Sequence, residues 1–351
     1  MPSFKVIHLH FKSGLHLGKG KEGTYDSSAD RLHSDKLKSA LFVSAKRLYG
    51  DQIDYSFFED FSISSAFPFL QLKNKEMVYF FPRPHLADFP VNVAEELPEK
   101  AAKRLRKVQY IDKNLLELLL QGPSQDIEIA TTNFTENNRL LSQHHALEKY
   151  RIYKSQVEHH VSIPKPTSDG WIAEDSTPFD TDKLFFESNA GLFFLMQVES
   201  TEREKQLKAA LRLLEDTGIG TDRTSGGGQL SISEGELSIN VPSEGNYQLN
   251  LSLYCPKQDG IELNKGVVKK ATYTLLKRGG YIANPVDDQH LSIRKKSIYM
   301  FEEGSVFPFQ ANRVGQIADL TPAPSNNFPT LGHPIWRDGT AIFLPIKQRR
   351  K

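Results

Sequence analysis

The sequence predicts an α+β protein built from two packed domains, and three observations carry this. Its 351 residues exceed one ordinary domain of about 150 residues and fall short of three. Hydrophobic residues make up 38% at a mean hydropathy of −0.45, which suits packed cores and not membrane spans. Strand-like and helical patterns alternate through the first part of the chain, whereas strand-like patterns dominate the rest.

The charge balance and the cysteine count narrow the class of protein. Lys and Arg number 44 against 43 Asp and Glu, so affinity for a polyanion has to come from local clusters of charge. Lys5 and His8 interrupt the apolar N-terminal residues, unlike a secretory signal, so we predict a cytoplasmic protein with no membrane association. Cys255 is the single cysteine, which excludes an internal disulfide and a multi-cysteine zinc site.

Periodicity predicts the first strand and the first helix. Residues 4–12 read FKVIHLHFK, in which Ile7 and Leu9 alternate with other side chains at the period of a strand. The glycine-rich polar stretch that follows is typical of an exposed loop. Ser34 is a good N-cap residue, and apolar residues then recur at helical spacing, which predicts a helix from about Asp35 to Tyr49.

Prolines dominate the next part of the chain. They recur from Phe57 to Pro98, which favours short extended pieces and excludes long helices. A basic stretch at residues 103–107 precedes an apolar stretch, Leu115 to Leu120, that predicts a short helix. The composition then turns polar, so we expect a long insertion at about residues 124–182.

The following elements complete the first domain. Residues 183–198 contain two apolar runs around a turn-like break, which predicts a hairpin. A capping box at Thr201 and Glu204 begins a helix that ends at Gly218, and a strand follows. Residues 1–237 thus have a ferredoxin-like order with the long insertion in its middle. Residues 238–351 are expected to form a second, mostly β domain, a degenerate counterpart of the first.

The glycine-rich loop at residues 218–228 is the strongest functional feature. It follows a helix and precedes a strand, whereas a nucleotide-binding glycine loop follows a strand and opens a helix, which argues against a nucleotide site. Five glycines in this short stretch let a nucleic-acid backbone approach main-chain N–H groups closely, and Arg223, Thr224 and Ser225 add donors. The alternative is a flexible connector, against which the apolar strand immediately afterwards argues.

Several segments together resemble a known family. GIGTDRTSGGGQL is similar to the glycine-rich loop of the RAMP superfamily of CRISPR proteins, whose domains are ferredoxin-like, that is, RRM-like. The wider set resembles the subunit-four family of type III-A Csm complexes from about residue 4 to 346, with residues 124–182 matching poorly. Its segments are GLHLG, LHSDKLKSALF, FPFL, NAGLFFLMQV, LLEDTGIGTDRTSGGGQL, RKKSIYMFEEGSVF and HPIWRDGTAIFLPI.

The resemblance implies a non-catalytic subunit that holds the 5′ repeat-derived tag of a guide RNA (crRNA), without cofactor or metal. It also implies docking to the large signature subunit and to the first backbone subunit, with target RNA met only indirectly. Arg294, Lys295 and Lys296 add local positive charge that a phosphate could use, or form a solvated strand edge. The expected RNA-binding residues are His16, Gly18, Lys19, Lys21, Ser34, Lys36, Gly218, Gly220, Arg223, Thr224, Ser225, Gly226, Gly227, Gly228, Arg294, Lys295 and Lys296.

The histidines and the basic stretch leave alternatives open at this point. In a metal-independent endoribonuclease that processes CRISPR repeat RNA, His16 or His33 would be the general base. His8 and His10 share a strand face, but two imidazoles without a third ligand make a poor zinc site. The basic stretch at residues 103–107 either contacts RNA or an acidic partner surface, or is a solvated face, which we expect.

Overall fold

The computed structural model describes residues 2–18, 27–94, 96–135, 137–162, 177–257, 260–282, 293–323 and 333–348. Among the described residues no helix is both long and apolar enough to span a bilayer. The helices are α1 (Ser34–Tyr49), α2 (Pro98–Lys107), α3 (Lys113–Leu120), α4 (Thr201–Thr217) and α5 (Lys265–Lys270).

The strands are β1 (Ser3–Phe11), β2 (Phe61–Ile63), β3 (Phe67–Gln71), β4 (Met77–Pro82), β5 (Val91–Val93), β6 (Tyr110–Asp112), β7 (Ile127–Ile129), β8 (Leu140–Leu141), β9 (Tyr153–Ser162), β10 (Thr177–Phe186), β11 (Ala190–Val198), β12 (Leu230–Ser238), β13 (Tyr247–Asn250), β14 (Leu275–Arg278), β15 (Ile298–Phe301), β16 (Val306–Pro308), β17 (Ile317–Asp319), β18 (Trp336–Asp338) and β19 (Phe343–Ile346).

One large sheet organises the first part of the chain. Its strands run in the order β12-β1-β11-β3-β4-β6-β8, with β2 also paired to β11. From β12 to β6 neighbouring strands are antiparallel, whereas β6 and β8 are parallel. The predicted α+β class is therefore confirmed.

The two faces of β1 pack into different cores because side chains alternate across a strand. Ile7 and Leu9 face α1 and α4 in one apolar cluster, as the alternation predicted. Phe4 and Val6 face the other way, into a cluster that also contains Leu249 and other residues of the C-terminal strands. The large sheet thus lies between the two helices and the C-terminal part of the chain.

The first helix matches its predicted bounds, but its N-cap is different. His33 holds the N-cap position without a side-chain capping bond, and the helix begins at Ser34. The Ser34 hydroxyl is buried and instead accepts a hydrogen bond from the Leu253 N–H at 3.0 Å. The predicted Ser34 cap is therefore wrong, because packing against the C-terminal part occupies that hydroxyl. The helix ends before Gly50, whose φ is +57°.

The capping box predicted for α4 is also wrong by one residue. Ser200 is the N-cap, and its hydroxyl accepts from the Arg203 N–H at 3.3 Å. Glu204 instead forms ion pairs with Lys5 and Lys208. The helix ends at Thr217, and Gly218 follows with a φ of +72°.

Residues 183–198 do not form the predicted hairpin. The first apolar run belongs to β10, which pairs with β9, whereas the second run is β11, which pairs with β1, β2 and β3. The predicted insertion is also more anchored than expected, because Phe134 and Leu141 are fully buried and β8 joins the large sheet. Residues 163–176 lie outside the described part.

The C-terminal part is mostly β, as predicted. A three-stranded sheet runs β16-β13-β19, and two-stranded sheets form from β14 with β15 and from β17 with β18. Arg278 of β14 is buried and donates a hydrogen bond to Asp35 at the N-terminus of α1. This contact positions the site described next.

Candidate nucleic-acid interface

The glycine-rich loop leaves α4 and returns as β12, with a 3₁₀ turn at Arg223–Ser225 in its middle. Gly220 and Gly228 have positive φ values of +111° and +67°, and side chains there would meet the carbonyl oxygens of His16 and Ile219. These two glycines therefore serve the packing of the loop itself. Gly227 is also buried, so only part of the loop is exposed to solvent.

The exposed part of the loop is its tip. Arg223, Thr224, Ser225 and Gly226 are all exposed, and no atom lies within 4 Å of a side chain built at Gly226. The φ of Gly226 is +83°, a conformation that glycine adopts without strain. The tip combines open main chain with one cation and two hydroxyls.

The loop packs against residues 13–18, a segment that includes His16 and Gly18 of the predicted site. The Thr221 N–H donates to the His16 carbonyl at 3.2 Å, and the Gly228 N–H donates to the Gly14 carbonyl at 2.9 Å. The Ser13 hydroxyl donates to the Gly226 carbonyl at 2.8 Å. Two segments more than 200 residues apart in the chain thus form one surface.

His16 itself is not available to RNA. Only 2% of it is exposed, and its Nδ1–H donates to the Asp182 carbonyl at 2.7 Å. Gly18 is half-buried, and its carbonyl accepts from Lys36 Nζ at 2.5 Å. Lys19 and Lys21 lie outside the described residues.

A buried carboxylate organises the start of α1. Asp35 is fully buried and accepts from Arg278 Nε at 2.8 Å and from the Arg337 guanidinium. Burial alone would raise the pKa of Asp35, but the two guanidinium groups bring that pKa well below its usual range. Asp35 is therefore charged at neutral pH.

Two lysines complete the cluster, which we call the cationic notch and define as Asp35, Lys36, Arg278, Lys295 and Arg337. The pKa of Lys36 is lowered to about 8, mainly by burial and secondly by the Arg278 guanidinium. The pKa of Lys295 is likewise lowered to about 8, mainly by burial and secondly by the Arg337 guanidinium. Four cations thus share one carboxylate within the notch, and the lysines repel each other.

The remaining expected residues are distributed around the notch. Arg294 is exposed, stacks 5.0 Å from the ring centroid of Tyr281 and donates to its hydroxyl. Lys296 is exposed, and its main-chain N–H donates to the Leu320 carbonyl. Ser34 is fully buried, so its side chain cannot contact RNA directly. The structure therefore brings together the loop, Gly18, Lys36 and Lys295.

Sequence reasoning missed the two arginines of the notch and the network beside it. Glu303 is buried and accepts from Arg31 and from His33, each at 2.9 Å. Burial would raise the pKa of Glu303, but His33 and then Arg31 bring it well below its usual range. Arg337 and Glu303 lie in motifs that carry the resemblance, yet no local pattern shows that they meet α1.

Histidine and metal chemistry find little support at this surface. His33 is engaged by Glu303, and His8 is buried with its Nε2 at 2.9 Å from the Tyr79 hydroxyl. Burial lowers the pKa of His8. Among the described residues no group of three His, Cys, Asp or Glu side chains could hold a metal ion.

Comparisons with known proteins agree with this architecture. A family model described as the CRISPR Csm4 C-terminal domain matches residues 243–346. A Methanocaldococcus jannaschii protein named CRISPR system Cms protein Csm4 is 22% identical over 390 aligned positions, covering 98% of both chains. A Thermococcus onnurineus protein of the same name is 23% identical and covers 79% of this chain and 82% of its own.

The chain is thus similar to proteins named Csm4 over most of its length, and its C-terminal part matches the Csm4 C-terminal family model. Solved Csm4 structures share its fold over the full length. One is a Csm1–Csm4 cassette in complex with AMPPNP, with a TM-score of 0.60, 18% identity and 100% coverage of both chains. Another is a Csm3–Csm4 subcomplex of the type III-A CRISPR-Cas interference complex, with a TM-score of 0.61, 20% identity and coverage of 98% and 99%.

Proposed function

We propose that this chain is the non-catalytic crRNA-binding subunit of a type III-A Csm effector complex and that it holds the 5′ repeat-derived tag. The observation that carries the proposal is the cationic notch beside the glycine-rich loop. Among the described residues its four cations outnumber its one carboxylate, so the notch attracts a further anion. A phosphate bound there would raise the pKa of Lys36 and of Lys295 and so favour the charged form of each lysine.

The geometry suits the backbone of a nucleic acid better than a free nucleotide. Phosphate contacts from lysines, hydroxyls and main-chain N–H groups position a strand without reading its sequence. The exposed loop tip, Arg223–Gly226, supplies such donors next to the segment that ends at Gly18. Lys19 and Lys21 follow Gly18 in sequence and belong to the proposed contact set.

The proposed role includes two packed ferredoxin-like domains. The strand order β12-β1-β11-β3, with α1 between β1 and β3 and α4 between β11 and β12, supports this assignment for residues 1–237. Residues 238–351 would be the degenerate counterpart. The family match at residues 243–346 supports a boundary near residue 237.

We also propose that the chain docks to the large signature subunit and to the first backbone subunit of its complex. Relatives solved as a Csm1–Csm4 cassette and as a Csm3–Csm4 subcomplex support both partners. Target RNA would be met only through the guide, and the complex would work in the cytoplasm.

The absence of catalysis is part of the proposal. A general base needs a free imidazole within reach of the substrate hydroxyl. Only 2% of His16 is exposed, and only 12% of the His33 side chain is exposed, so neither ring is readily reached by a substrate hydroxyl. Labelled repeat RNA incubated with and without chelator tests this directly. Metal-free cleavage would favour the endoribonuclease alternative and overturn the proposal.

Binding is tested with the double variant Lys36→Ala, Lys295→Ala and single-stranded RNA that carries the tag sequence. The affinity should fall about 10-fold to 100-fold, and the slope of log K against log salt should decrease by about 0.7 per lost phosphate contact. The matched control is Lys269→Ala, Lys270→Ala on α5, where both lysines are exposed and belong neither to the notch nor to the glycine-rich loop. Equal affinities for the two double variants would contradict the assignment.

A further inference from the structure

The exposed face of α2 is strongly basic. Lys100, Lys103, Arg106 and Lys107 are exposed, and among the described residues none of them lies within ion-pair distance of a carboxylate. Positions 100, 103 and 107 recur at the three-residue and four-residue spacing that places side chains on one face of a helix. Arg104 differs, because it forms an ion pair with Glu96 at 3.1 Å.

Helix stability does not account for this charge. Cations near the C-terminus of a helix are favoured by the helix dipole, which would explain Arg106 and Lys107. Lys100, however, lies in the first turn of α2, where the dipole disfavours cations, and Lys103 lies in the middle of the helix, where the dipole favours neither charge. The C-terminal carbonyls also have another donor, because Arg83 donates to the Leu105 carbonyl at 2.7 Å.

A series of contacts connects α2 to the start of α1. Two residues after α2, the Gln109 side chain accepts from Arg139 Nε at 3.1 Å. Arg139 also forms an ion pair with Asp30, which lies four residues before α1. The C-terminal end of α2 therefore lies near the segment that leads into the cationic notch.

A tyrosine-lined cavity lies along this connection. Its volume is about 370 Å³, and its lining includes Asp30, Tyr110, Arg139, Tyr150 and Tyr153. Aromatic rings beside cations are the usual surroundings of an unstacked base in single-stranded RNA. An acidic protein surface would make use of the basic helix but would have no use for such a cavity.

We infer that the basic face of α2 binds phosphates of the RNA strand that continues from the cationic notch past this cavity. The inference rests on the proposed function and extends its footprint by a second phosphate-binding surface. The occupant is single-stranded RNA, because charge complementarity and the tyrosine-lined cavity both favour it. Binding at α2 depends on RNA length, since a short RNA bound at the notch does not reach the helix.

The test compares fluorescence anisotropy of the full chain with RNAs of about 5 and about 20 nucleotides, because site sizes of single-strand binders fall between these lengths. The variant is Lys103→Glu, Lys107→Glu, and the matched control is Lys269→Glu, Lys270→Glu on α5. For the long RNA the α2 variant should lose about 10-fold or more in affinity, with the salt slope reduced by about 1.4. Binding of the short RNA should be unchanged.

Each other outcome overturns the inference. The inference fails if the variant and the wild type bind the long RNA with equal affinity. It also fails if the wild type binds the long and the short RNA with equal affinity. Retained RNA binding with weakened association to a protein subunit would assign α2 to an acidic partner instead. If the wild type binds neither RNA, the proposed function fails with it. A second variant, Lys100→Glu, Lys103→Glu, guards against misfolding of the first, and both are checked by thermal unfolding.

Discussion

Raising the pH from about 7 to about 9 should weaken RNA binding by this protein through Lys36 and Lys295. An ordinary lysine has a pKa of about 10.4 and stays charged over this range. The two notch lysines have pKa values of about 8, because burial and the neighbouring guanidinium groups disfavour their charged forms. A bound phosphate favours the charged forms, so binding requires each lysine to take up the proton it has lost.

The magnitude follows from the fraction that remains protonated. At a pH of about 9, a group with a pKa of about 8 is only about one tenth protonated, so each lysine should cost about tenfold in affinity. The two together should cost up to about 100-fold. Asp35 does not titrate here, because its pKa lies well below its usual range.

The assay is the anisotropy of tag RNA at several pH values and constant salt, with a charge-preserving control. The variant Lys36→Arg, Lys295→Arg keeps both charges at high pH, because guanidinium groups do not deprotonate in this range. Its affinity should therefore change little with pH, whereas that of the wild type should fall above pH about 8. Parallel pH profiles of the two proteins would refute the assignment of these lysines to the RNA site.

Three further predictions concern stability. Asp35→Asn should lower the free energy of unfolding by about 3–5 kcal/mol in urea titrations, because it leaves buried guanidinium groups without a counter-charge; a loss below about 1 kcal/mol would contradict its organising role. Gly228→Ala should cost more than Gly226→Ala, since both have positive φ but only the first would overlap the Ile219 carbonyl; equal unfolding midpoints would argue against the loop geometry. The depressed pKa of Glu303 means that its stabilising contribution is present above the pKa of an unfolded glutamate, about 4.3, and is lost as pH falls further. Glu303→Gln should therefore flatten the acid side of the stability profile, and an unchanged profile would refute this.

Local patterns were sufficient where an element depends on its own side chains. The alternation of Ile7 and Leu9 predicted β1 and its buried face, and helical spacing predicted α1 up to Tyr49. The glycine-rich loop was located correctly between α4 and β12. The spacing of the apolar residues is sufficient for such elements because it matches the geometry of a strand or a helix, whichever distant element covers the buried face.

Errors arose where a residue's partner is distant in sequence. Ser34 suits an N-cap by type, yet its hydroxyl accepts from Leu253. The two apolar runs of residues 183–198 suit a hairpin, yet each pairs with other strands. His16 suits an exposed ligand, yet the Asp182 carbonyl holds it in the core. Propensity cannot distinguish these alternatives because tertiary contacts decide between them.

The sequence by itself determined the mixed α+β class, the family resemblance and the segments that meet at the proposed RNA site. Only the tertiary structure decided which of their side chains face solvent, and it added Arg278 and Arg337 to the site. The physical reason is that charge acts through space. The pKa of Lys36 depends on burial and on guanidinium groups more than 200 residues away in the chain. A local sequence pattern does not show that such distant residues come close in space.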